Sequence, residues 1–255
     1  MKRIKFILKY LKHFLSAHSL DDIHSPFVFK LTTEVFRNKT IFHEFESIEN
    51  IRKKLFKKKQ IIDIQNSNHI IKKKISYIAK HSAKSPKQAQ LLFRLIKHFQ
   101  PDLMIEIGTS LGISTMYQAM AAHQNKLTTI EGNPQLIKFA NENFQELGLK
   151  NIELINGNFD IVLPTIVNTI KQADYVFFDG NHQKDATINY FNLFLNKTHN
   201  DTIFIFDDIH WSDGMEEAWK IIKLNNRVTV TIDLFFMGIV FFNKQLSKEN
   251  FKIRF

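Results

Sequence analysis

The stretch Leu103-Met104-Ile105-Glu106-Ile107-Gly108-Thr109-Ser110-Leu111-Gly112-Ile113-Ser114-Thr115, followed by Thr128-Thr129-Ile130-Glu131-Gly132, constrains this chain more than any other. An apolar strand, Leu103 to Ile107, enters a turn of two glycines and two hydroxyl residues, and a helical pattern leaves it near Ile113. That order brings backbone N–H groups close to a ligand at a helix N-terminus. A second strand ends in Glu131, roughly 20 residues past the loop, the spacing at which a carboxylate grips ribose hydroxyls in nucleotide-binding folds. Together these two features imply a bound nucleoside.

The surrounding chain alternates regularly. Ser85 as N-cap, Pro86 in the first helical position and Gln88 three residues after the cap predict a helix to Phe99, with Leu92, Leu95, Ile96 and Phe99 inward. Strands are expected at 103–107, 127–131, 152–156, 174–179 and 202–207. Helices are expected at 113–123, 133–147, 160–171, 184–195 and 213–224, with Gly148 ending the second. Strands near 228–233 and 236–243 follow without a helix between them, so one must be antiparallel. The fold class is therefore α/β: a Rossmann-like, doubly wound, seven-stranded sheet, mostly parallel with one antiparallel strand near the C-terminus.

Charge divides the chain differently. Residues 1–87 carry 20 Lys and Arg against 7 Asp and Glu, whereas residues 88–255 carry 15 against 18. This places a basic helical N-terminal cap over 1–84 and the α/β domain over 85–255. In the cap Ile4, Ile7, Leu8, Leu11, Phe14 and Leu15 recur at helix spacing with Lys2, Lys5, Lys9 and Lys12 opposite. Val28, Leu31, Val35 and Phe36 repeat the pattern, as do Ile48, Ile51 and Leu55. The basic segment leaves nucleic acid or an anionic membrane surface open as partners, although a solvated lysine face is the commoner use of such a pattern. The chain has no cysteine, which excludes disulfides, thiolate metal sites and cysteine nucleophiles and suits a reducing cytoplasm. Lys9, Lys12 and His13 interrupt the apolar run that a signal peptide needs.

Ligands of such sheets gather at the carboxyl ends of the strands. Acids recur there: Glu106 late in the first strand, Glu131 after the second, Asp179 after the fourth, and Asp207 and Asp208 after the fifth. The third strand ends Asn156-Gly157-Asn158-Phe159-Asp160, where an amide and a ring could hold and stack an adenine, or where Asn158 could simply cap the next helix.

EIGTSLGIST, TTIEGN, NGNFD, DYVFFDGNH and FIFDDIHW, in that order, resemble the class I S-adenosylmethionine-dependent methyltransferases, and most closely the catechol and caffeoyl-CoA type O-methyltransferases with their bacterial relatives. The resemblance covers about residues 85–245. It implies a loop of Glu106, Gly108, Thr109, Ser110, Gly112 and Ser114 around the methionine part of S-adenosylmethionine. It further implies Glu131 on the ribose, Asn158 and Phe159 bordering the adenine, and Gln90 and Asp179 beside the cofactor. In the catechol-type branch a divalent cation sits at positions that are here Asp179, Asp207 and Asp208. Three carboxylates suit Mg2+, Ca2+ or Mn2+. Asp208 stands where the family has asparagine. His182, three residues after Asp179, occupies the place of the family's lysine base, with His210 as its rival and Asp179 beside it; an imidazole pKa near 6.5 suits proton removal.

The expected reaction is methyl transfer to an oxygen of a small-molecule acceptor, with a homodimer plausible for the branch. Two alternatives stay open. A nicotinamide-dependent oxidoreductase would also use an acid-tipped second strand, but the loop lacks three-glycine dinucleotide spacing. A nucleic-acid-directed methyltransferase or non-catalytic cofactor binder would use the basic cap, but no Asn-Pro-Pro-Tyr-like motif follows the fourth strand.

Overall fold

The computed structural model describes residues 2–66 and 69–255. By compactness the chain divides into a continuous unit, Lys39–Val162, and a discontinuous one, Met1–Asn38 with Leu163–Phe255. The step in charge near Ser85 falls inside the continuous unit.

The discontinuous unit opens with α1 (Lys2–Ser16). Its packed side is Phe6, Tyr10 and His13, with the Phe6 and Tyr10 rings 5.1 and 5.0 Å from that of Phe235. The apolar stripe read from the sequence lies on the other side: Ile4, Ile7, Leu8, Leu11 and Leu15 are all exposed. Aromatic pairing and a buried histidine, rather than aliphatic periodicity, decide which face docks. In α2 (Pro26–Leu31) the Ser25 side chain accepts from the Val28 N–H, and the helix continues into a π-helical turn over Thr32–Phe36. Val28, Leu31, Val35 and Phe36 are buried, as their spacing predicts.

In the continuous unit α3 (Glu44–Lys57) buries Phe45, Ile48, Ile51 and Leu55. The helical pattern does not extend through the rest of the cap. β1 (Ile61–Asn66) and β2 (His69–Lys74) pair antiparallel, Ile64 opposite Ile71. The β-branched runs Ile61-Ile62 and Ile70-Ile71 favour a pleated strand, where such side chains lose less freedom than in a helix. After α4 (Ile75–Ser82), α5 (Pro86–Phe99) starts with the complete Ser85/Gln88 capping box and stops at Gln100, which adopts the left-handed conformation before Pro101. There follow β3 (Leu103–Ile107), α6 (Ile113–Ala121), β4 (Lys126–Glu131), α7 (Pro134–Glu146) and β5 (Ile152–Asn156). The three strands lie in the order β3-β4-β5, all parallel, with Ile107 opposite Ile130 and Glu131 opposite Asn156. The division between units falls within α8 (Phe159–Thr169).

The discontinuous unit resumes with β6 (Tyr175–Phe178), α9 (Lys184–Leu195), β7 (Ile203–Asp207), α10 (Asp213–Leu224), β8 (Val230–Asp233), β9 (Met237–Phe241) and β10 (Glu249–Lys252). Its strand order is β10-β8-β9-β7-β6. β6 and β7 are parallel, and β9 runs antiparallel to both β7 and β8, which supplies the reversed strand that the short 233–236 connection demands. β10, parallel to β8, is additional to the seven expected strands. Only Phe251 of its four residues is buried, so it offers almost no apolar pattern to read.

Candidate active site

In the continuous unit the loop between β3 and α6 is shaped by three left-handed residues: Gly108 (φ 107°), Ser110 (φ 49°) and Gly112 (φ 80°). A Cβ on Gly112 would lie 2.4 Å from Phe144 Cε1, so both the backbone angle and the neighbouring ring require glycine there. The N–H groups of Gly108 and Thr109 both donate to the Ile130 carbonyl, at 3.0 and 3.1 Å, and the Thr109 and Thr129 hydroxyls are 2.6 Å apart. The loop is therefore stitched to the end of β4. Glu131, half-buried at that end, completes the arrangement: one carboxylate oxygen accepts from the Ser110 N–H at 2.8 Å, the other from the Asn133 N–H at 2.9 Å. Burial pushes its pKa up, while the N–H groups of Asn133, Ser110 and Gly132 pull it back.

Glu106 and Ser114 turn inward. Glu106 is fully buried and accepts from four side chains: Ser114 (2.7 Å) and Gln118 (2.6 Å) on one oxygen, Thr129 (2.8 Å) and Thr115 on the other. Burial raises its pKa and the four donors oppose that rise. Its work in this structure is to lock the first turn of α6 against β4. Thr115, Gln118 and Thr129 were not singled out from the sequence, although Ser114, Thr115 and Gln118 share one helix face.

Gln90 hydrogen-bonds the Tyr117 hydroxyl, which donates to Glu49 at 2.9 Å; Arg52 in turn grips Glu49 through both carboxylate oxygens. Burial, then the Glu49 charge, raises the Tyr117 pKa. Asn158 caps α8, its side chain accepting from the Asp160 N–H at 2.8 Å, and stays exposed next to half-buried Phe159.

In the discontinuous unit, Asp179 follows β6 and Asp207 ends β7. These two carboxylates and the His182 imidazole present ligand atoms that all lie within 4.8 Å of one another. His182 Nε2 is 3.7 Å from Asp179 Oδ1, and Asp207 is almost wholly buried. Asp208, the third expected metal ligand, is not in this group. Its backbone is left-handed (φ 54°), with its N–H on the Phe236 carbonyl at 2.7 Å. A cation held by this group would meet two carboxylates and one imidazole, a mixture that suits Mn2+, Fe2+ or Zn2+ better than the all-oxygen set of three carboxylates expected from the sequence.

His210 is held differently from His182. Its Nδ1 lies 2.9 Å from Glu216 Oε1 and its Nε2 2.9 Å from Asp233 Oδ2, while its ring stacks on Phe235 with centroids 5.1 Å apart. Burial alone would lower its pKa, but the hydrogen bonds and charges of Asp233 and Glu216 outweigh it and raise it. Both His210 nitrogens thus lie against carboxylates, an arrangement that favours the charged ring and leaves neither nitrogen facing an open site. Asp233 also takes His13, whose Nε2 is 3.0 Å from Asp233 Oδ1.

Comparison with known proteins bears on both halves of this description. The family model of a methyltransferase domain matches residues 105–209. A catechol O-methyltransferase of Niastella koreensis is 28% identical over 128 residues, covering 49% of this chain and 57% of that protein. The chain thus spans little more than half the length of that curated relative. Among solved structures, an SAH-bound methyltransferase of Podospora anserina superposes with a TM-score of 0.61 at 13% identity, covering 86% of this chain and 97% of that one. An O-methyltransferase from Bacillus cereus in complex with SAH gives 0.58 at 18% identity, with 83% and 94% covered. At such identities the structural likeness establishes the fold. Residues 105–209 of this chain therefore match a methyltransferase-domain family model, and the chain adopts the Rossmann-like fold of the solved methyltransferases it superposes on.

Proposed function

We propose that this chain transfers a methyl group from S-adenosylmethionine to an oxygen of a small-molecule acceptor. The observation that carries the reading is Glu131. Backbone N–H groups hold its carboxylate from two sides, Ser110 of the loop on one oxygen and Asn133 at the start of α7 on the other with Gly132 beside them, so a rigid support aims the acceptor capacity that remains. That is the arrangement a ribose diol requires. The catechol O-methyltransferase relative, and the SAH found with the Bacillus cereus protein, support the choice of cofactor and of oxygen as acceptor.

On this reading Gly108, Thr109, Ser110 and Gly112 let backbone approach the methionine portion. Glu106 and Ser114 act as positioning residues that hold the loop, with Gln90 fixed by Tyr117 nearby in the chain's fold. Asn158 and Phe159 border the adenine. When bound, the cofactor supplies an electrophilic methyl on a sulfonium; as the acceptor oxygen takes the methyl the carbon–sulfur bond breaks and leaves the thioether, and the acceptor's hydroxyl proton passes to solvent water. Asp179, His182 and Asp207 would hold a divalent cation, whose contribution is to lower the pKa of that hydroxyl. With a cation bound, His182 would be a ligand through one ring nitrogen, and that nitrogen would have no lone pair left for a proton. Asp208 stays outside the set. A cytoplasmic place of work fits a chain without cysteine.

The test is calorimetry. Glu131→Ala should weaken S-adenosylmethionine binding about 100-fold, the worth of two charge-assisted hydrogen bonds at ~3 kcal/mol together, with the circular dichroism spectrum unchanged. Undiminished affinity, or preferential binding of NAD by the unaltered chain, would overturn the assignment.

A further inference from the structure

α1 carries two apolar surfaces, and the fold uses one. Phe6, Tyr10 and His13 pack against Phe235 and its neighbours. On the outer side Ile4 (64% exposed), Ile7 (53%), Leu8 (59%), Leu11 (49%) and Leu15 (79%) form a continuous aliphatic stripe. At 3.6 residues per turn these five positions span an arc of roughly 100°. Among the described residues no side chain of the same unit covers it.

Among the described side chains, cations flank the stripe at Lys12 and Arg254. The helix contains Lys2, Arg3, Lys5, Lys9 and Lys12 and no acidic residue. Lys9 is neutralised by Asp213 and Glu216, but Lys12 is exposed. At the far end β10 and the residues after it add two more cations: Lys252 Nζ donates to Ser16 Oγ at 3.2 Å, and the exposed Arg254 lies over the Phe14 ring at 4.5 Å. At the near end Trp211, 64% exposed, meets Phe6 edge-on at 5.9 Å. An aliphatic stripe bordered by cations with an indole at its margin is the composition of a helix lying in a lipid–water interface.

We propose that α1 docks this protein on an anionic lipid bilayer, inserting Ile4, Ile7, Leu8, Leu11 and Leu15 at the headgroup–acyl boundary while Lys12 and Arg254 meet lipid phosphates. Charge complementarity selects this occupant. A second copy pairing α1 with α1 would set like charges side by side. Nucleic acid would gain nothing from an aliphatic stripe. The proposal stands apart from the methyl-transfer reading, because the stripe is on none of the residues assigned to cofactor or acceptor.

Co-sedimentation of the full chain with vesicles tests it. Vesicles of phosphatidylcholine with about one-third phosphatidylglycerol should pull the protein down, and pure phosphatidylcholine should do so at least about tenfold more weakly. Leu8→Glu/Leu11→Glu should reduce binding to the anionic vesicles about tenfold or more; both positions are exposed, and an unchanged melting temperature and S-adenosylmethionine affinity would show the fold intact. Failure of the unaltered chain to sediment, or equal sedimentation of the double variant, would overturn the proposal. Concentration-dependent dimerisation abolished by the same variant, without vesicle binding, would assign the stripe to a second copy and overturn it equally.

Discussion

Asp233 holds two imidazoles at once, His13 on one oxygen and His210 on the other, in a setting where all three side chains are largely shielded. Burial would raise the Asp233 pKa, but the hydrogen bonds and charges of the two histidines depress it well below the ordinary 3.8. His210 is held above the ordinary 6.5. The Asp233 contribution to stability is thus whole above pH 3.8 and fades as pH falls through its lowered value. The His210 contribution is whole below pH 6.5 and fades as pH rises through its raised value. Both are complete between these limits, so the melting temperature measured across pH should peak there on their account. Asp233→Asn should cost about 3 kcal/mol at pH 5.5, the scale for breaking a shielded pair, and less at pH 9. An equal loss at both pH values would remove the charge argument. This cluster was invisible in the sequence because His13 and Asp233 stand 220 residues apart and no spacing rule links them. Glu131 was legible, since its place at the end of a strand and its distance from the loop are local properties. His210 could be named as a residue beside the acids, but its partners Glu216 and Asp233 come from a helix and a strand that only the fold assembles.

At the scale of elements, the β3–loop–α6 passage depends on one absent side chain. Gly112 sits at φ 80° under the Phe144 ring of α7, and Asn143 of the same helix donates to the Leu111 carbonyl at 2.9 Å. Gly112→Ala should destabilise by about 1–3 kcal/mol in denaturant titration and weaken cofactor binding with it. Adding Phe144→Leu should return the steric share and leave the backbone share. Full recovery would mean that the left-handed angle costs nothing here. The strands and helices from Ser85 onward were readable because each carries its own signal: the Ser85 capping box, Gly148 at a helix end, apolar runs of strand length. Where the signal was weak the reading failed. β1 and β2 lie in a lysine-rich stretch whose isoleucines fit either periodicity, and β10 has a single buried residue. For α1 the periodicity was correct as a helix and misleading as to its docked side.

Across the molecule, the proposed chemistry falls into two separately compact units. The residues assigned to the cofactor, other than Asp179, belong to Lys39–Val162, and Asp179, His182 and Asp207 belong to the discontinuous unit. Hydrogen exchange can address each unit by itself. S-adenosylmethionine should slow exchange at 108–114 and 131–133, while Mn2+ should slow it at 179–182 and 207; EDTA should abolish turnover and Mn2+ should restore it. Turnover indifferent to EDTA would remove the cation and return His182 to the role of general base. The general location of these groups was legible, because acids at strand ends are a one-dimensional pattern. That His182, and not Asp208, groups with Asp179 and Asp207 was not, because it depends on how the turns at Asn181 and Asp208, both left-handed, aim their neighbours.

The discontinuous unit has a consequence for how the protein is made. α1 is synthesised first, yet the residues it packs against, Asp233 and Phe235, leave the ribosome some 220 positions later. At translation speeds of about 5–20 residues per second, this leaves the nascent helix roughly 10–40 s with neither of its two apolar sides seated. During that interval both apolar sides of the nascent helix stand open to water or to a holding chaperone, so a protease added to stalled nascent chains should cut within α1 until residue 235 has emerged.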